Sequence, residues 1–214
     1  MRHPVRIIRL LFGLVLYGLG SYLGIQANVG LAPWEAFQMG LSQLTGIQYG
    51  NGVVLVGLLF LVLDAVLGEA IGLGTCLNML LVGKFVDFFN WIDLVPQVEN
   101  FWIGVLVMLA GQTVLCVGSY FYMGSGYGCG PRDYLMVALG KRFRKIPVGM
   151  IRGAIEGTVL LVGWLMGSKV GIGTVIAVFG ISFILQLVFR LFRFDVKAVR
   201  HESLVETFRL KKRA

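Results

Sequence analysis

Four long stretches of this chain carry no charge: residues 10–34, 36–63, 100–131 and 170–189 contain no Asp, Glu, Lys or Arg. A helix needs roughly 20 consecutive apolar residues to cross a bilayer, and each stretch reaches that length. Backbone placed in hydrocarbon must satisfy its own N–H and C=O groups, so such runs fold as spanning helices or as a closed barrel. The runs are continuously apolar rather than alternating, which argues against barrel strands. Only 14% of the 214 residues are charged, and the mean hydropathy is +0.82; soluble domains carry about 25% charged residues. The expected class is an all-α polytopic membrane protein, with residues 1–214 forming one membrane domain. Disorder, a disulfide scaffold and a soluble enzyme are excluded.

Six spans are expected, over 7–28, 51–68, 71–90, 102–124, 148–167 and 171–191. The basic residues orient them. Arg2, Arg6 and Arg9 precede the first span; Arg132, Lys141, Arg142, Arg144, Lys145 and Arg152 surround the loop after the fourth; eight more lie between Arg190 and Arg213. The loop at 29–50 has one charge, Glu35, and the region after the third span carries Asp87, Asp93 and Glu99. An excess of Lys and Arg marks cytoplasmic loops, so both termini and the basic tail at 192–214 are expected in the cytoplasm. Trp91 and Trp102 would mark the outer interface. The first apolar run is longer than the core of a signal peptide, so none is expected to be cleaved.

The chain repeats itself at a period of 98–99 residues. Gly20-Ser21-Tyr22 returns as Gly118-Ser119-Tyr120, and Gly72-Leu73-Gly74-Thr75 returns as Gly171-Ile172-Gly173-Thr174. Between them Gly30, Pro33, Glu35 and Leu41 return as Gly128, Pro131, Asp133 and Leu139. Repeat one covers about 7–91 and repeat two about 102–191. Three spans per repeat would make the second enter from the opposite side, giving inverted repeats about an axis in the membrane plane. If the short segment after each first span also crosses, the repeats are parallel instead.

Two broken loops carry the functional signal. Asn28, Gly30, Pro33, Trp34 and Glu35 lie in one; Gly128, Gly130, Pro131, Arg132 and Asp133 lie in the other. Proline suits the first position of a helix, and a carboxylate two residues later suits the helix N-terminus. Trp34, Phe37, Leu41 and Leu44 would then form one stripe. The two acids either cap their helices or line a substrate gate, because irregular backbone survives at membrane depth only inside protein or beside a water-filled cavity. Arg132 stands where the other half has Trp34. Either it is an ordinary positive-inside arginine, or its partner is a nearby acid, Asp64 or Glu156, or the acidic group of a solute.

The elements GIQANVGLAPWEAF, GLGT, GSGYGCGPRDYLM and VGIGT resemble the bacterial YczE/YyaS/YitT family of integral membrane proteins, most of all its YczE branch, over about residues 7–190. The resemblance implies a multi-pass protein of the bacterial cytoplasmic membrane, of a kind labelled membrane protein or permease, and it implies no catalytic residue.

Among the remaining polar residues, Arg152 and Glu156 lie four apart on one face of the fifth span, a structural pair or a proton site. Lys84 and Asp87 are expected to snorkel to the interface, and Asp64 to be solvated at an inner turn. Asn78 and Gln112 are expected to bond between helices. The only histidines are His3 and His201 in the terminal segments, and Cys76, Cys116 and Cys129 share no metal-binding spacing. No metal, cofactor or catalytic constellation is expected, and the chain is not expected to be an enzyme. The net charge of +8 sits at span ends, so nucleic acid is not an expected partner; the bilayer and a small solute are, and a homodimer stays open. A secondary transporter, the membrane subunit of an ATPase-driven importer, and an accessory protein for another enzyme all fit this sequence.

Overall fold

The computed structural model describes residues 3–68, 71–143, 145–146, 148–194, 199 and 202–204; residues 133, 136, 137, 140, 141, 148, 149 and 152 are described in backbone only. The described residues form eight helices: α1 (His3–Gln26), α2 (Pro33–Thr45), α3 (Tyr49–Val66), α4 (Leu73–Trp91), α5 (Phe101–Met123), α6 (Pro131–Arg142), α7 (Val148–Leu165) and α8 (Ile172–Leu191). The six long ones fall on the six expected spans, and α2 and α6 are the two short helices expected after the broken loops. By length and composition α1, α3, α5 and α8 can each cross a membrane. Helix α4 carries Asn78, Lys84, Asp87 and Asn90, and over its described residues α7 offers the apolar stretch Gly153–Leu165.

The centre of the molecule is the seam between α1 and α5. A Cβ built on Gly13 would fall 2.5 Å from the Tyr122 backbone nitrogen and 2.8 Å from the Gly118 carbonyl, while one on Gly20 would fall 2.5 Å from the Gly111 carbonyl. Gly13 therefore faces Gly118 and Gly20 faces Gly111, so the two helices run antiparallel. Without a hydrophobic drive between helices in lipid, such small residues permit the backbone approach that holds a bundle together. Around this seam the packing pairs up. Helix α4 lies on α1 and α8 on α5; α2 lies on α7 and α6 on α3.

The pairing fails at one place. Helix α3 packs along α4, with Gly83 against Gly50 and Met79 against Gly57. Among the described residues α7 makes no comparable seam with α8, and Gly153 and Gly157 have nothing within 4 Å of a built Cβ.

Trp91 and Trp102 are both largely exposed where α4 ends and α5 begins. Two polar expectations are corrected. Asp64 is wholly buried rather than solvated, because its place near the end of α3 sets its depth along the helix but not the face it takes. Asp87 does not snorkel: its Oδ1 accepts the Gly50 N–H at 2.9 Å, and Lys84 Nζ donates to Asn51 Oδ1 at 2.6 Å. Asp87 thus serves the first turn of α3, whose N–H groups have no partner inside that helix, and Lys84 holds the Asn51 side chain of the same turn.

Candidate functional site

The two broken loops share one backbone pattern. Asn28 and Gly30 have φ of 53° and 128°, and Gly126 and Gly128 have φ of 77° and 114°. Two left-handed residues spaced two apart turn the chain back on itself, and only glycine adopts the outer values without strain. Each loop is held by the last long helix of the other repeat. The Gly173 N–H donates to the Val29 carbonyl at 3.0 Å, and the Gly74 N–H donates to the Tyr127 carbonyl at 2.7 Å. These are the glycines of the repeated GIGT and GLGT. Each motif's threonine lies where a Cβ on the opposite loop would go: Thr174 Oγ1 against Gly30, and Thr75 Oγ1 against Gly128.

Each loop is then tied to the surface. On one side Lys169 Nζ donates to Asn28 Oδ1 at 2.9 Å and the Leu31 N–H donates to the Lys169 carbonyl. On the other, the C-terminal segment returns: the Glu202 N–H donates to the Gly126 carbonyl and the Leu204 N–H to the Ile71 carbonyl, both at 2.9 Å. Arg6 bridges Glu202 at 2.7 Å and lies over the Tyr127 ring, against whose hydroxyl His3 Nδ1 rests. The sequence reading missed this lock, because a basic tail signals orientation and not a destination.

After each loop a proline opens a short helix, with the acid at its third position. Pro33 and Trp34 are buried against the middles of α3 and α7, where Trp34 meets Val56 and Val159 and Phe60 stands edge-on to it at 5.1 Å. Phe37 and Leu41 continue this stripe, but Leu44 is exposed. At the start of α6 the Tyr122 hydroxyl accepts the Gly130 N–H at 2.9 Å. The N-termini of α2 and α6 thus approach each other inside the bundle, beside the C-terminal half of α5.

A cavity of about 100 Å³ lies where they meet, lined by Pro33, Trp34, Glu35, Arg132 and Glu156 together with Ser119 of α5. A second of about 60 Å³ shares Trp34, Glu35 and Arg132 and runs toward Asn78 and Tyr49. A third of about 20 Å³ reaches from Glu35 up to Gly30. Glu35 borders all three. Its Oε1 accepts from Ser21 Oγ at 3.3 Å. It therefore ties the start of α2 to α1 and faces the cavity at the same time. Arg132 lies with its guanidinium 5.5 Å above the Tyr17 ring and 5.7 Å above the Trp34 ring. The two residues that break the internal symmetry are in contact with each other. The side chains of Asp133 and Arg152 lie outside the described residues.

Gln112 bonds between helices as expected, donating to the Ala177 carbonyl at 3.1 Å, whereas Asn78 lines a cavity. Cys76, Cys116 and Cys129 form no disulfide among the described residues.

Over residues 4–190 the chain matches a family of unknown function, DUF6198. It is 32% identical over 166 residues to the uncharacterized membrane protein YczE of Bacillus subtilis strain 168, covering 77% of this chain and 76% of that protein. It is 30% identical over 177 residues to an uncharacterized protein of Haemophilus influenzae, covering 83% and 80% of the two. To the uncharacterized protein YyaS of Bacillus subtilis it is 24% identical over 169 residues, covering 78% and 83%. No solved structure matches it.

Proposed function

We propose, taking as premise that the chain belongs to the DUF6198 family and is a multi-pass helical membrane protein, that it is a secondary transporter for a small polar or charged solute. The reading rests above all on the cavity between the N-termini of α2 and α6. Discontinuous helices that meet at a central cavity are the usual place where transporters hold solutes and coupling ions.

Inverted repeats of six crossings belong to the same reading. The antiparallel α1–α5 seam supports them. So do the crossed hydrogen bonds of Gly74 to Tyr127 and Gly173 to Val29. α4 and α7 would complete the count. Both termini would then lie in the cytoplasm, in the cytoplasmic membrane of a bacterium, as the basic loops require. Among the described residues the seams are unequal, α3 closing on α4 while α7 makes no comparable contact with α8, which fits a protein whose halves alternate between two arrangements. The carboxylates and Arg132 bind and orient; no covalent chemistry is assigned to them.

Purified protein in liposomes, loaded and challenged with labelled small solutes under proton and sodium gradients, tests the proposal. Gradient-driven accumulation of one solute class is the expected result. Binding without flux under every gradient would overturn it and favour an accessory role.

A further inference from the structure

We infer that the segment at 202–204 is a releasable latch on the broken loop at 124–130, and that the other broken loop, at 27–32, is sealed by a segment that does not release. The inference rests on the transporter reading for one premise, that the loop at 124–130 moves as a gate. It comes from comparing what seals the two loops.

In each repeat the chain leaves the last long helix and returns over that repeat's own broken loop. After α4 the Val98 N–H donates to the Gln26 carbonyl at 2.9 Å, and the Val98 carbonyl accepts from Asn28 Nδ2 at 3.3 Å. After α8 the Glu202 N–H donates to the Gly126 carbonyl at 2.9 Å. Gly126 is the counterpart of Asn28 under the 98-residue offset. The two returning segments therefore do the same job.

They are held differently. The first joins α4 to α5, so a long helix fixes it on each side. Tyr22 also grips it from α1: its hydroxyl donates to the Val95 carbonyl at 2.8 Å and accepts the Val95 N–H at 3.0 Å. Val95 packs against the buried Tyr22, Val86 and Phe89. Among the eight helices the second segment is joined to α8 alone. Tyr120, the counterpart of Tyr22, contributes ring contacts with Phe192 and Phe194 instead. Residues 202–204 are each partly exposed, and their attachment is polar: two main-chain bonds and the Arg6–Glu202 bridge. Segments with few buried apolar contacts are the ones that open locally at low cost.

Release matters because of where this segment lies. Gly126 belongs to repeat two. Ile71, whose carbonyl accepts the Leu204 N–H, stands in the turn between α3 and α4 of repeat one. The segment thus spans the joint between the repeats. The equivalent joint at the other loop is closed directly, by the Leu31 N–H on the Lys169 carbonyl. Arg6 tightens the clasp, giving Nε to the Ser125 carbonyl at 2.8 Å while Nη1 holds Glu202. The loop cannot draw away from the α3–α4 turn while the segment spans them. Lids held in this way set how often a site opens.

The test uses the full-length protein in detergent, with N-ethylmaleimide as the probe. Cys129 lies in the same loop and is partly exposed; with Cys76 and Cys116 replaced by alanine, its modification rate reports loop opening. Glu202→Gln removes the bridge, and Leu204→Pro removes the N–H given to Ile71. Each should raise the rate about threefold or more, with an unfolding temperature close to the parent's. Lys169→Met, which cuts the side-chain tie of the other loop, should leave the rate unchanged. Deuterium exchange on the unaltered protein needs no variant: the Glu202 and Leu204 amides should exchange about tenfold faster or more than the Val98 amide. Equal modification rates in the parent and both latch variants would overturn the inference. So would equal exchange at Glu202 and Val98, or a rise for Lys169→Met as large as for Glu202→Gln. Faster modification on release, with no solute crossing liposomes under any gradient, leaves the latch standing and removes the transporter reading. Solute flux through a protein whose latch fails these tests does the reverse.

Discussion

Replacing Gly13 with alanine probes the seam on which the whole arrangement depends. The added methyl would lie 2.5 Å from the Tyr122 nitrogen, 2.8 Å from the Gly118 carbonyl and 2.9 Å from the Tyr122 Cβ, where ordinary contact begins near 3.4 Å. The obstacle is backbone and Cβ, which no side-chain rotation can move. The helices must part by about 0.9 Å at this point, the difference between 3.4 and 2.5 Å. Parting them also loosens Tyr17, Leu115 and Tyr122, buried in the adjoining core. Overpacking of this kind costs about 1–3 kcal/mol. The intrinsic preference of alanine for a helix returns up to about 1 kcal/mol, so a net loss of about 1–2 kcal/mol is expected.

Gly24 is the control on the same helix. A Cβ there meets nothing within 4 Å, so Gly24→Ala should be neutral or stabilising by up to about 1 kcal/mol. Thermal unfolding in detergent, followed by loss of the monodisperse elution peak, compares the two. At about 2–4 °C per kcal/mol for a chain of this size, Gly13→Ala should melt several degrees below Gly24→Ala. Equal melting temperatures would refute the close backbone seam and with it the antiparallel pairing of α1 and α5.

Other outcomes follow from the same geometry. Gly30→Ala and Gly128→Ala force a side chain into φ of 128° and 114° against Thr174 and Thr75; each should cost at least about 1–3 kcal/mol, and unfolding temperatures of the two variants check it. A cysteine at position 143, in a background lacking Cys76, Cys116 and Cys129, should be labelled by impermeant reagents only in inverted vesicles, and one at 97 only in intact cells; the reverse at 143 would sink the inverted arrangement. Glu35→Gln and Asp133→Asn should fold normally, with melting temperatures near that of the parent, yet lose solute flux; full flux in both would leave helix capping as their whole role. Glu202→Ala removes the Arg6 bridge, a partly buried contact worth about 1 kcal/mol, and should speed proteolytic removal of the C-terminal segment without lowering the global melting temperature.

Depth was legible in the sequence and facing was not. Uncharged runs placed the long helices to within a few residues, because the length of a span is imposed by the bilayer. Proline followed two positions later by an acid placed the starts of α2 and α6, because helix N-termini have their own chemistry. The repeat told which elements are equivalent. It did not tell which touch, and the crossed pairing of each loop with the other repeat's last helix came only from the structure. Lipid is as apolar as a protein core, so hydrophobic periodicity says little about which face of a span points inward. Asp64 was misjudged for that reason. The Tyr17–Arg132–Trp34 stack joins α6 to α1 and α2, a whole repeat away in the chain, and no local pattern announces it. Arg132 stood out in the sequence only because its counterpart is an indole.

Gly13, Gly20, Gly111 and Gly118 form a closed set: under the 98-residue offset Gly13 becomes Gly111 and Gly20 becomes Gly118, and the contact of 13 with 118 becomes that of 111 with 20. An interface in which one surface patch meets its own counterpart in this way is isologous, the kind ordinarily formed by two copies of one subunit. Here both copies are on one polypeptide. A mutation at any of the four glycines is therefore answered by a residue of the other half, and the halves are not free to drift apart along this line. On the inverted arrangement proposed above, a single half would be a candidate subunit in its own right, able to dimerise only with a copy threaded through the bilayer in the opposite sense. Fusion into one chain would then fix the two orientations in equal number, which separate genes would have to achieve through the balance of charge in their loops.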